Sequence, residues 1–216
     1  MVLNKFKTLA VLSSFFCFLI LFSGIFTSCS VDLTLALQKD GSVNITFAGG
    51  SGQAFTKMIL SATGGEEQFL DTKEIDYELS KNGFTNVKSE SKKTGEIRIF
   101  MTDAKQSSYI FKSGIALVEG NQLKLNITKK SLVDFYNSAD EQTRMVLDLF
   151  LAPVFNDEEM TEAEYLETLG TFYGKEAAKE VADSFVNITL IDEDGKSQKQ
   201  KIPFSRLMCG ISTFTN

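Results

Sequence analysis

From residue 31 to residue 47 the side chains alternate. Val31, Leu33, Leu35 and Leu37 are apolar, and Asp32, Thr34, Ala36 and Gln38 interleave with them. After Lys39-Asp40-Gly41-Ser42 the alternation resumes with Val43, Ile45 and Phe47. Successive side chains of a strand point to opposite faces, so a period of two makes one face apolar and the other solvated. The Asp-Gly pair predicts a hairpin turn between the two strands. A chain built on such a hairpin needs a second layer over its apolar face.

The same signals recur further on. Gly49-Gly50-Ser51-Gly52 ends the second strand, and a helix is expected from Gln53 to about Ala62, broken by Gly64-Gly65. Asp71-Thr72-Lys73-Glu74 has the spacing of a capping box for a helix that turns Ile75 and Leu79 inward and ends at Gly83. A second hairpin is expected from Phe84–Ser91 and Glu96–Thr102, and a third from Ile115–Val118 and Leu123–Thr128 around Glu119-Gly120-Asn121. Ala104 to Lys112 suggests a short helix. Helices are then expected from Ser131, from Asp140 (apolar on most sides), after the capping box Thr161-Glu162-Ala163-Glu164, and from Lys175 to Asp183. Phe185–Ile191 and Ser197–Ile202 around Asp194-Gly195 close a fourth hairpin. The order implies an α+β fold: an antiparallel sheet built from β-hairpins, packed on one face by helices, with a helical insertion at about 131–183 before the last hairpin. No internal repeat interrupts it.

The N-terminal region has a different grammar. Lys5 and Lys7 precede an apolar run from Leu9 to Phe22, broken only by Ser13 and Ser14, and small residues follow. Basic, apolar and small, in that order, is the architecture of a secretory signal peptide. It ends at Phe26-Thr27-Ser28-Cys29, which resembles the lipobox of bacterial lipoproteins in its relaxed, spirochaete-type form, with Phe26 where an aliphatic residue is usual. The resemblance implies that residues 1–28 are a signal peptide, that Cys29 carries a thioether-linked diacylglyceryl group, and that residues 29–216 form one envelope domain. Cys29, the hairpin through Asp40-Gly41, the helix from Asp71 to Gly83 and the strand pair from Phe84 to Thr102 are also distantly similar in order to the LppM-like lipoprotein domain. That likeness covers about the first half of the mature chain and implies a cell-envelope domain.

Loss of residues 1–28 removes two lysines and no acid, moving the net charge from −6 to −8. An acidic surface disfavours nucleic acid, whose phosphates need basic patches. Of three cysteines, Cys17 leaves with the signal peptide and Cys29 is acylated, so Cys209 has no partner for an intramolecular disulfide. Its apolar surroundings, Leu207-Met208-Cys209-Gly210-Ile211, suit a small buried hydrophobe.

Candidate chemistry is sparse. Without histidine there is no Ser-His-Asp triad and no histidine metal ligand. Ser89-Glu90-Ser91-Lys92 has Ser-x-x-Lys spacing but lies in a hairpin turn rather than at a helix start. Gly49-Gly50-Ser51-Gly52 could hold an anion on backbone N–H groups, yet Phe55 stands where a dinucleotide fingerprint needs glycine. Asp157, Glu158, Glu159, Glu162, Glu164 and Glu167, and separately Asp192-Glu193-Asp194-Gly195, are acidic but lack the calcium-loop pattern. The expectation is therefore a membrane-anchored lipoprotein with no catalytic residue, cofactor or metal. It faces the periplasm or the exterior from the cell membrane or outer membrane. It would act as a binding or structural module for an envelope protein or an apolar ligand. The alternative is a histidine-independent hydrolase using carboxylates or a Ser/Lys pair.

Overall fold

The computed structural model describes residues 30–50, 72–91, 96–138, 160–209 and 213–214, with single positions 52, 54, 144 and 148 between them. The elements run β1 (Ser30–Leu37), β2 (Val43–Gly50), α1 (Thr72–Lys81), β3 (Thr85–Glu90), β4 (Glu96–Asp103), α2 (Tyr109–Lys112), β5 (Ala116–Glu119), β6 (Gln122–Asn126), α3 (Lys129–Ser138), α4 (Glu162–Tyr173), α5 (Lys175–Ala182), β7 (Phe185–Ile191), β8 (Ser197–Pro203), α6 (Phe204–Met208) and β9 (Thr213–Phe214). The fold is α+β.

The main sheet has six strands in the order β3-β4-β2-β1-β7-β8. Three of the four expected hairpins supply it. Its pairings are antiparallel except one: β1 lies parallel to β7, with Leu33 opposite Ile188 and Leu35 opposite Leu190. Alternation fixes which face a strand buries but not which strand it pairs with, so this contact was absent from the hairpin reading. The third hairpin, β5–β6, also departs from that reading, since it pairs with β9 in a separate three-stranded sheet.

One face of the main sheet is buried. Val31, Leu33, Leu35, Ile45, Phe47, Ile99 and Val186 join Ile75 and Leu79 of α1, Leu132 and Phe135 of α3, Tyr165 and Leu169 of α4, Val181 of α5 and Leu207 of α6 in one apolar cluster. Among the described residues, the helices therefore cover a single face.

The turns follow from their residues. Gly41 N–H donates to Gln38 O and Gln38 N–H to Ser42 O, with Gly41 at φ 78. The turn of the fourth hairpin repeats this arrangement: Gly195 N–H donates to Asp192 O and Asp192 N–H to Lys196 O, with Gly195 at φ 81. Each places glycine in the left-handed conformation that a Cβ resists. Both sheet edges are blunted. β8 carries Lys199, Lys201 and a terminal Pro203, and β3 bulges between Thr85 and Lys88, where Asn86 has φ 53.

Helix starts are set by side chains. Thr161 Oγ1 accepts from Glu164 N–H at 3.3 Å while Glu164 Oε2 accepts from Thr161 N–H at 2.8 Å, the expected capping box. Helix α3 begins two residues earlier than its sequence suggests. Thr128 is the cap, its Oγ1 accepting from Ser131 N–H while Ser131 Oγ accepts from Thr128 N–H. In the expected segment 104–112 only Tyr109–Lys112 is helical. Most of the expected helices from Asp140 and from Gln53 lies outside the described residues, Arg144, Asp148 and Ala54 being their described helical positions, and the Asp71 end of the first capping box lies outside them too.

Asp103, at the end of β4, is buried. Its Oδ1 accepts from Lys105 N–H at 3.2 Å and Ser107 N–H at 2.9 Å, and its Oδ2 from Ser108 N–H at 2.9 Å. This carboxylate folds residues 104–108 around itself, and Gln106 Nε2 ties the loop to Gly41 O. Replacing it leaves three backbone donors without their acceptor, so Asp103→Ala is expected to cost about 3 kcal/mol in urea unfolding. Thr161→Ala, which removes only the cap of α4, is expected to cost about 1 kcal/mol. Equal stability of Asp103→Ala and the parent protein would contradict the role given to Asp103.

Candidate functional site: the Ser30 end and the open face of the sheet

The expected lipidation residue, Cys29, lies outside the described residues. Its neighbour Ser30 opens β1 and is already in register with Phe185 of β7. Strands β1, β4 and β7 start at this end of the sheet, and β2, β3 and β8 finish there. Glu96 stands beside Gly50, and Pro203 beside Phe185. Lys201 reaches back over the Phe185 ring, its Nζ 4.0 Å from the ring centroid. The opposite end carries the turns at Asp40-Gly41 and Asp194-Gly195.

The second face of the sheet is polar. Register aligns Lys88, Phe100, Thr46, Thr34, Thr189 and Lys199 in one row across all six strands. Small side chains occupy its centre and long ones its flanks. The neighbouring row holds Arg98, Ala48, Asp32, Asn187 and Lys201. Asn187 Nδ2 donates to Asp32 Oδ1 at 2.9 Å and Thr102 Oγ1 to Asn44 Oδ1 at 2.8 Å, fixing side chains across strands. Phe100 is 37 % exposed among these polar groups. The result is a flat, hydrogen-bonding surface with two aromatic side chains, Phe100 in its middle row and Phe185 at its Ser30 end.

Other sequence candidates are drawn into the fold. At the glycine turn, Ala54 N–H donates to Glu180 Oε1 at 3.1 Å. Gly52 is buried against the same carboxylate, and a Cβ there would lie 2.6 Å from Glu180 Cδ. The anion held at this turn is thus the chain's own Glu180. Ser89 sits within β3 opposite Ile99, its Oγ buried, and Lys92 is outside the described residues. In the acidic cluster Glu162 accepts from Ser205 Oγ at 2.8 Å and Glu164 caps α4. Asp157, Glu158 and Glu159 lie outside the described residues. At the last hairpin Asp192 Oδ1 accepts from Lys196 N–H at 2.7 Å and Asp194 Oδ2 from Asn121 Nδ2 at 3.0 Å. Among the described residues no three or more Cys, Asp or Glu side chains converge on a metal position. Among them, too, no helix is long and apolar enough to cross a membrane.

The chain matches no protein-family model, no curated protein and no solved structure.

Glu180 and Asp103 were not singled out by sequence. Asp103 had a faint signal, a strand-ending Asp followed by Lys105, Ser107 and Ser108, the pattern of an Asx-type loop. Glu180 had none, because it meets Ala54 across 126 positions of sequence.

Cys209 packs half-buried against the core. Burial, then Glu162 and Glu164, push its thiol up to about 11. The thiolate is the reactive form, so at pH 8 a disulfide reagent should modify Cys209 in the processed protein at least about a hundredfold more slowly than a free cysteine. Urea should abolish the difference. Rapid modification of the folded protein would contradict this placement.

Proposed function

We propose that this chain is a bacterial envelope lipoprotein, held on the membrane by acylated Cys29, whose domain serves as a non-catalytic binding module. The observation that carries the reading is the position of Ser30. The residue after the lipobox cysteine already belongs to an interior strand of the main sheet, so lipoprotein processing before Cys29 would leave an acylated N-terminus one residue from that strand. An uncleaved apolar segment would instead have only the seven residues from Ser23 to Cys29 to lead from the bilayer into the centre of a six-stranded sheet. Two or three acyl chains supply stable attachment, because each buried methylene contributes about 0.8 kcal/mol.

The binding surface assigned here is the open face, through Thr34, Thr46, Thr189 and Phe100, and the partner is an envelope protein. Flat surfaces that combine fixed polar groups with an aromatic side chain suit protein recognition better than enclosure of an apolar ligand. The hydrolase alternative has no supporting geometry among the described residues. Ser89 is inside a strand, Cys209 is held protonated, and Glu180 is engaged at Ala54.

The test is intact mass of the protein extracted from its native membrane. The expected mass lacks residues 1–28 and carries a diacylglyceryl group on Cys29, and inhibition of lipoprotein signal peptidase should leave the precursor. A Cys29→Ser variant should lose this modification and its membrane attachment. Processing at another position, with Cys29 unmodified, would contradict the proposal.

A further inference from the structure

We propose that the domain is docked on the bilayer in one orientation, with the Ser30 end of the main sheet against the lipid headgroups and Phe185 and Lys201 as its contact. The inference rests on the lipid-anchor reading and adds to it a surface and a partner, the membrane itself.

A tethered domain tumbles when a flexible linker separates it from its anchor. One residue spans at most about 3.6 Å, and here no residue separates Cys29 from the paired strand. Ser30 is in register with Phe185, and from Asp32 onward β1 has a partner on both sides. The acyl chains therefore pull on the interior of a rigid sheet. The end they pull toward the lipid carries Phe185, half-buried on the open face, and the exposed Lys201 over its ring. An aromatic ring beside the acyl boundary with a lysine reaching to the phosphate level is a chemistry suited to a headgroup layer. Arg98, exposed in the row next to this end, adds a second cation; Asp32 and Glu90 in the same row and Glu96 at the edge oppose the two, so the contact rests on Phe185 and Lys201 and not on net charge. The strands then rise from the membrane, and the open face stands roughly upright, reachable from the side.

The experiment uses the full acylated protein, extracted from its membrane and reconstituted in vesicles of phosphatidylcholine and phosphatidylglycerol containing nitroxide-headgroup lipid. A fluorophore is attached either at Glu96→Cys, at the docked end, or at Lys39→Cys, in the far turn. Eight strand residues at roughly 3.3 Å each separate the ends, so the Glu96 site should be quenched at least about threefold more strongly. Inserting about twelve Gly and Ser residues between Cys29 and Ser30, with a reach of roughly 19 Å, should remove that contrast. Lys201→Gln should reduce it about twofold. Equal quenching at both sites in protein whose mass shows acylated Cys29 overturns the orientation alone. Unmodified Cys29 overturns the anchor reading and the orientation with it. Unchanged contrast in Lys201→Gln overturns the assignment of the contact to that side chain.

Discussion

Strand β1 is hydrogen-bonded to β2 on one side and to β7 on the other, and the second of these pairings joins the two halves of the chain. Asp32 and Asn187, which meet across it, are 155 residues apart. Closing so long a loop has an entropic cost that grows only slowly with length, and a row of fully buried side chains offsets it. Val31, Leu33 and Leu35 lie on the covered face beside Val186 and Ile188. Remove that seam and β7–β8 separates from the rest, leaving α4, α5 and α6 without a surface to cover. On the proposed reading the acylated cysteine enters the same strand, so the element that completes the sheet would also receive the pull of the membrane.

The local parts of this fold were readable because their causes are local. Asp40-Gly41 and Asp194-Gly195 mark turns through the conformational freedom of glycine, and Thr161 with Glu164 marks a helix start through two reciprocal hydrogen bonds. Alternation at Val31–Leu37 and Phe185–Ile191 told which face would be buried. What escaped were relations between distant segments. A period of two is satisfied equally by a parallel and an antiparallel neighbour, so β1–β7 left no mark. Nothing in Leu123–Thr128 distinguishes a strand of the main sheet from one that pairs with β9. Of the candidate site, Ser30's place next to the cysteine followed from the early alternation. The open face needed the register between strands, which aligns Thr34, Thr46 and Thr189.

Several polar groups of the domain are engaged with its own backbone or side chains. Asp103 gathers three N–H groups, Glu180 meets Ala54, Ser131 and Thr128 hold each other, and Asp192 and Asp194 stabilise a turn. Each has a structural partner that a substrate would have to displace. Burial keeps the Cys209 thiol protonated and pushes the Tyr165 hydroxyl well above its ordinary value, with Cys209 and Tyr173 adding to the effect. Chemistry of this kind stabilises a scaffold, and it directs attention to surfaces, namely the open polar face and the Ser30 end of the main sheet.

On the proposed anchoring, ordered structure begins next to the acylated cysteine, with no tether. Amide hydrogen exchange of the membrane-bound protein, resolved along Val31 to Leu37, tests it directly. The account predicts that Val31, Asp32 and Leu33 exchange as slowly as Leu35 in the middle of the strand, through global unfolding. Fast exchange of Val31 to Leu33, with protection starting only near Leu35, would show a frayed tether and contradict it.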